Sequence, residues 1–131
     1  MPPGTGDTQL TFSQEIKIDG AIIVSTPQEV ALLDVKRGIK MFDKLGVKIL
    51  GLVDNMSYFI GDDKKKYRIF GEGGVRKTSE EFKKEFLGEI PINSEIGKTS
   101  DNGKPIVEED STSEISKIYI NFANKIKSTY L

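Results

Sequence analysis

Gly46-Val47-Lys48-Ile49-Leu50-Gly51-Leu52-Val53-Asp54-Asn55-Met56-Ser57 decides the fold. From Lys48 to Val53 the run is nearly all apolar, at consecutive rather than alternate positions. That pattern suits a strand covered on both faces, the usual state of a parallel sheet. Gly46 in front can end a preceding helix. The run closes on Asp54, Asn55 and Ser57, polar side chains just past a strand's C-terminal end. In open α/β sheets that edge is where ligands bind. Taken alone, Asp54 and Asn55 read better as turn formers leaving a strand.

The neighbouring segments supply context. Gly20 to Ser25 (Gly-Ala-Ile-Ile-Val-Ser) is a short apolar strand. Thr26-Pro27-Gln28-Glu29 follows as a capping box, with Thr26 at N-cap and Pro27 at the first helical position. The helix it predicts runs over 27–45, with Leu32, Val35, Ile39 and Phe42 on one face and Lys36, Arg37, Lys40 and Lys44 on the other. A helix between two apolar strands is a βαβ unit, so strands 20–25 and 47–54 are expected to be parallel. Residues 58–76 are irregular. Gly61 to Lys66 has no apolar residue, Lys64 to Lys66 read as solvated surface, and Tyr67 to Phe70 is a candidate short strand. Gly71-Glu72-Gly73-Gly74 is a hinge rather than a phosphate loop, because no Gly-Lys-Ser/Thr closes it. Arg76 after it reads as a surface arginine.

Thr78-Ser79-Glu80-Glu81 is a second capping box and predicts a helix to about Glu85. Phe86 to Ile90 is a third strand, stopped by Pro91. Residues 93–104 read as loop with one turn of helix. Ser111-Thr112-Ser113-Glu114 is a third capping box opening a helix over 112–129. Its stripe is the clearest in the chain: Ile115, Ile118, Tyr119, Phe122, Ala123, Ile126 and Tyr130, spaced by three and four. At the other end, Met1-Pro2-Pro3-Gly4-Thr5-Gly6-Asp7 is a tight loop, with Thr5 and Asp7 available to cap a helix reaching about Lys17.

Composition narrows the chemistry. The 131 residues suffice for one domain with a real core, and 37% hydrophobic with 30% charged residues is ordinary for a globular chain. The formal net charge of −1 offers no polybasic surface, so nucleic acid is not an expected partner. There is no cysteine and no histidine. Disulfides, thiolate nucleophiles, Ser-His and Cys-His pairs and the usual zinc sites are thereby removed. A metal held here would need carboxylate or carbonyl oxygens. No apolar run approaches a membrane span, and a cytoplasmic location is the default expectation.

The expected fold class is α/β: a partial doubly wound, mostly parallel sheet with flanking helices. Three strong strands are few against the usual ~5–6. Here a resemblance becomes specific. Met-Pro-Pro-Gly-Thr-Gly-Asp at 1–7 resembles the switch II loop of the Mrp/ApbC-type, MinD-like P-loop ATPases that carry iron–sulfur clusters. The similarity continues through Thr26-Pro27-Gln28, Ala31 to Asp34, Arg37-Gly38, Met41-Phe42, Gly51-Leu52-Val53 and Asn55 to Phe59. It resumes at Ile69-Phe70-Gly71 with Gly73-Gly74, then Phe86 to Pro91 and Gly103 to Val107. It implies the C-terminal part of a P-loop NTPase fold: residues 1–131 as a single partial domain from switch II to the last helix, with an irregular insertion at about 58–76. Met1 falls where the family has an internal methionine, so a fragment's start is expected.

By the same resemblance, Pro3, Gly4 and Thr5 match the switch II backbone that senses the γ-phosphate. Asp7 is the acidic end of that motif and equally a helix N-cap. Asn55 matches the asparagine that reads the adenine edge. Pro91 and Ile92 follow the next strand, where the base packs. The family's Walker A loop has no counterpart here. Its Cys-x-x-Cys pair falls between Phe59 and Phe70, where this chain has no cysteine. The resemblance therefore implies ATP and magnesium as cofactors of the intact family protein, none tightly bound by this chain alone, no iron–sulfur cluster, no catalytic residue and no resident metal. Two functions stay open: part of an ATP-binding cluster carrier, without autonomous ATPase activity, or a non-enzymatic interaction module derived from that fold. The expected partners are a P-loop half or a second copy, giving a homo-oligomer through a bare sheet edge.

Overall fold

β1 (Ala21–Ser25), α1 (Glu29–Leu45) and β2 (Ile49–Asp54) form the first β-α-β unit of a computed structural model that describes residues 17–130. The chain continues through a hairpin, β3 (Phe59–Ile60) and β4 (Lys66–Tyr67), to α2 (Gly74–Glu81) and β5 (Phe86–Glu89). It ends with α3 (Ser94–Asp101), α4 (Ile106–Glu109) and α5 (Glu114–Tyr130). The main sheet has the order β1-β2-β5 and both pairings are parallel. Ser25 lies opposite Asp54, and Asp54 opposite Glu89, so three polar residues stand in a row where the strands end. The three sequence-predicted strands are parallel as expected.

Both faces of the sheet are covered. On one, Val35, Ile39, Met41 and Phe42 of α1 meet Ile49 and Leu52 of β2, with Val75 of α2 joining them. Ile39, Leu52 and Val75 are fully buried. On the other face Val53, Leu87 and Ile90 receive Ile118, Tyr119, Phe122 and Ile126 of α5. The consecutive apolar run of β2 is explained by this: Leu52 faces one helical layer and Val53 the other. Ala123 of the predicted stripe is exposed.

Helix ends differ from the capping boxes. Gly46 closes α1 as expected, in the left-handed region with φ 74°, while Val47 N–H donates to Phe42 O at 2.9 Å. At its start, however, α1 begins at Glu29 after an extended Gln28, and Thr26 makes no cap. Pro27 is buried beneath the glycine hinge, where a Cβ on Gly71 would meet Pro27 O at 3.0 Å, and this packing holds it outside the helix. The second box is also displaced. α2 starts at Gly74 after left-handed Gly73, and the Thr78 hydroxyl is spent inside the helix on Gly74 O at 2.9 Å. α5 is capped by Ser113, whose Oγ accepts from Ser116 N–H at 3.1 Å, because Asp110 Oδ1 has already engaged Thr112. α3 has two turns rather than one, with Asn93 Oδ1 accepting from Glu95 N–H at 2.8 Å. The candidate strand Tyr67 to Phe70 reduces to Lys66–Tyr67, paired antiparallel with Phe59–Ile60. The sequence-predicted helix reaching Lys17 lies outside the described residues.

The two sheet edges are unlike. On β5, Lys125 Nζ reaches in from α5 and donates to Leu87 O at 2.8 Å, occupying an outward carbonyl. On β1, alternation turns the N–H and C=O of Ile22 and Val24 away from β2. Their side chains are 43% and 58% exposed.

Candidate functional site

The C-terminal ends of β1, β2 and β5 are stitched together beyond the sheet. Asn55 N–H donates to Ser25 O at 2.7 Å. Ile90 N–H donates to Asp54 O at 2.8 Å, Ser57 N–H to Ile90 O at 2.9 Å, and Ile92 N–H to Tyr58 O at 2.7 Å. Asn55 and Met56 thus form a short tip between two clamped residues. Met56 adopts φ 53°, the left-handed conformation that a tight turn imposes. Asn55 is half-buried, and among the described residues its side-chain amide has no hydrogen-bond partner.

The tip is closed from below. Ser57 Oγ donates to Asp54 Oδ2 at 3.1 Å, and both residues are buried. Asp54 Oδ1 has no partner among the described residues. Burial pushes the Asp54 carboxyl up from its ordinary 3.8 to about 6. The Ser57 hydrogen bond opposes that rise, Glu89 adds to it, and Arg68 draws it back. Arg68 Nη1 lies 3.2 Å from Ser57 Oγ and 3.3 Å from Glu89 Oε2. Its guanidinium stands 5.7 Å from the centre of the Tyr58 ring. Burial and the nearby Glu89 raise the Tyr58 phenol above its usual value.

A cavity of about 460 Å³ opens beside this edge, between the hairpin and the helix N-termini that follow β5. Tyr58, Phe59, Pro91, Ile92 and Ile115 give it an apolar lining. Of the site residues proposed from sequence, Pro91 and Ile92 lie together on this cavity; Asn55 does not line it but sits on the adjoining tip. Pro3, Gly4, Thr5 and Asp7 lie outside the described residues. The sequence reading missed Asp54, Ser57, Arg68 and Glu89 as a cluster. The Asp-x-x-Ser spacing was a local signal for the first two. Nothing local marks Arg68, whose partner Glu89 is 21 residues away. Lys64 to Lys66 are exposed as expected, with Lys66 Nζ 4.5 Å from the Tyr58 ring centre, and Arg76 lies over Phe86.

Gly97-Lys98-Thr99 has the ending of a phosphate loop but lies within α3. Thr99 Oγ1 donates to Glu95 O at 2.8 Å, and no glycine run precedes it, so this is helix and not a phosphate cradle. Among the described residues no group of three or more acidic side chains is placed to hold a metal ion. No described helix is long and apolar enough to cross a membrane.

The chain is similar to several known proteins. An iron–sulfur cluster carrier protein of Aquifex aeolicus is 44% identical over 94% of this chain. An iron–sulfur protein of Arabidopsis thaliana required for mitochondrial NADH dehydrogenase is 48% identical over 96%. The chain spans only 34% and 41% of the length of these two relatives. Among solved structures, the nucleotide-binding protein of Archaeoglobus fulgidus in complex with ADP superposes on 79% of this chain at a TM-score of 0.69 and 42% identity. The MinD cell division protein of Aquifex aeolicus has a TM-score of 0.65 at 22% identity, a likeness of fold. The family described as ParA, NUBPL iron-transfer P-loop NTPase matches residues 1–127. With its parallel sheet, its covered central strand and its polar C-terminal edge, this chain belongs to that iron-transfer P-loop NTPase family.

Proposed function

We propose that this chain supplies the adenine side of a nucleotide site in an iron–sulfur cluster carrier, without supplying the phosphate side or the cluster ligands. The observation that carries this is the Asn55 tip. A half-buried amide, its donor and acceptor unspent among the described residues, stands at the C-terminal edge of the central strand of a parallel sheet. An adenine edge needs one donor and one acceptor side by side, and the Asn55 amide offers both. Pro91 and Ile92 give apolar surface to the base. Pro3, Gly4, Thr5 and Asp7 are assigned to switch II beside the γ-phosphate. The chemistry such a nucleotide supplies is phosphoryl transfer assisted by magnesium. The residues of this chain fit the base; none of the described residues forms a lysine-bearing phosphate loop. The cluster, as cargo, has no thiolate or imidazole to bind here. The proposed setting is the cytoplasm, with residues 1–131 acting as one partial domain.

Calorimetry with Mg-ATP tests this. Binding by the chain alone is expected to be weaker than micromolar, that is, less favourable than about −8 kcal/mol. Micromolar or tighter binding would contradict the missing phosphate side.

A second reading has its own observation. Ile22, Val24, Phe59, Ile60, Tyr67 and Ile69 are large apolar side chains that remain 42–60% exposed. Such surface favours an assembly module that docks a second copy or a P-loop partner.

A further inference from the structure

The hairpin β3–β4 has little to hold it in place. Its strands are two residues each, all four residues are exposed, and it shares no pairing with the main sheet. Arg68 follows it immediately and behaves differently from its neighbours: its side chain is only 24% exposed. The guanidinium spans from the hairpin to the sheet. Nη1 lies 3.4 and 3.3 Å from the two Glu89 oxygens and 3.2 Å from Ser57 Oγ, and Nε lies 3.6 Å from Glu72.

Ser57 Oγ has one hydrogen, committed to Asp54 Oδ2. Arg68 must therefore donate to an Oγ lone pair. Arg68, Ser57 and Asp54 form a one-way chain of donors that ends on a buried carboxylate. In such a chain each bond polarises the next. The chain's last two members are the residues that clamp the Asn55–Met56 tip to Ile90.

We infer that Arg68 is a positioning residue that couples the β3–β4 hairpin to the Asn55–Met56 tip through Ser57 and Asp54. When the hairpin moves away, Ser57 loses its donor and Asp54 its facing cation. Glu89 of β5 and Arg68 are the charged groups that act on Asp54; Ser25, opposite it on β1, is neutral. Without Arg68, the protonated carboxyl is favoured and the tip loosens. Coupling is reciprocal, so a ligand that tightens the tip also holds the hairpin. The identity of that ligand rests on the adenine reading; the relay itself does not.

The test uses the full chain and no nucleotide. In Arg68→Met, the carbon-13 titration of the Asp54 carboxyl is expected to move upward. The amides of Asn55 and Ser57 should exchange about tenfold faster, the worth of one hydrogen bond to a charged group. Amides of Ile39 and Leu52 in the core should stay as in the wild type, showing that the fold is intact. Ser57→Ala cuts the relay while leaving Arg68 on Glu89, and should speed exchange of the Gly61 amide, which closes the hairpin on Lys65 O. The inference is overturned if Arg68→Met leaves the Asp54 titration and the Asn55 and Ser57 exchange unchanged, whether or not the hairpin loosens. It is equally overturned if Ser57→Ala leaves the hairpin untouched. Failure of the chain to bind nucleotide would defeat the adenine reading and leave these results standing.

Discussion

Asp54 shows how far a single side chain departs from its local reading. In sequence it is a turn former after a strand, and only tertiary packing makes it a buried carboxyl with one oxygen unpartnered among the described residues. Its rise from 3.8 to about 6 has a definite consequence for stability. Between those values the folded chain holds a proton that the unfolded chain has released. Stability is therefore highest below about pH 4 as far as this group is concerned, and is lost as pH rises through about 6. The full difference is on the order of 2–3 kcal/mol. Asp54→Asn keeps the shape and an acceptor for Ser57, and removes the charge. Denaturant titrations from pH 4 to 8 are expected to show wild-type stability falling over that range and the variant nearly flat, more stable than wild type at pH 8. Equal slopes for the two proteins would refute the burial argument. The place of Asn55 just past a strand was legible in sequence because that position is local information. Arg68 was not, since the contact that buries it is made by Glu89, distant in the chain.

Among the elements, the apolar stripes were readable and the helix starts were not. Leu32, Val35, Ile39 and Phe42 mark the buried face of α1, and four members of the α5 stripe, Ile118, Tyr119, Phe122 and Ile126, pack as spaced. Caps depend on which of several hydroxyls wins a backbone N–H, and that competition is settled by neighbours. Asp110 takes Thr112, leaving Ser113 to cap α5. Ser113→Ala should therefore cost about 1 kcal/mol in thermal or denaturant unfolding. Ser111→Ala should cost almost nothing; the reverse order would restore the predicted capping box. In β5, Gly88 has φ 146°, and a Cβ there would lie 2.7 Å from the Phe122 ring. Gly88→Ala is expected to destabilise by about 2 kcal/mol or more, through strain and displacement of α5 together. A neutral substitution would mean that α5 is not seated against β5 as described.

For the molecule as a whole, the layered α/β architecture followed from one covered strand flanked by a helix and two further apolar runs. The hairpin, a local pairing of only two residues per strand, had no alternating apolar run to mark it, and the Asp54 cluster did not follow because Arg68 and Glu89 join it from distant positions. The two edges of the sheet set up a prediction about association. β5 is guarded by Lys125, whereas β1 presents Ile22 and Val24 with outward backbone groups and no lysine or proline among its residues. Light scattering at high concentration is expected to give a mass above the 14.6 kDa of one chain. A clean monomer would mean that the β1 edge is already covered.

The nucleotide reading is reached most directly by adenosine, which carries the base without phosphates. In an amide-resolved NMR titration, adenosine should bind weakly, with Kd on the order of 1 mM or about −4 kcal/mol. The shifts should gather on Asn55, Met56 and Ile92, and Asn55→Ala should abolish them while leaving the rest of the spectrum in place. Shifts that leave Asn55 unmoved, or that survive its replacement by alanine, would contradict the assignment of this edge as the adenine side of the site.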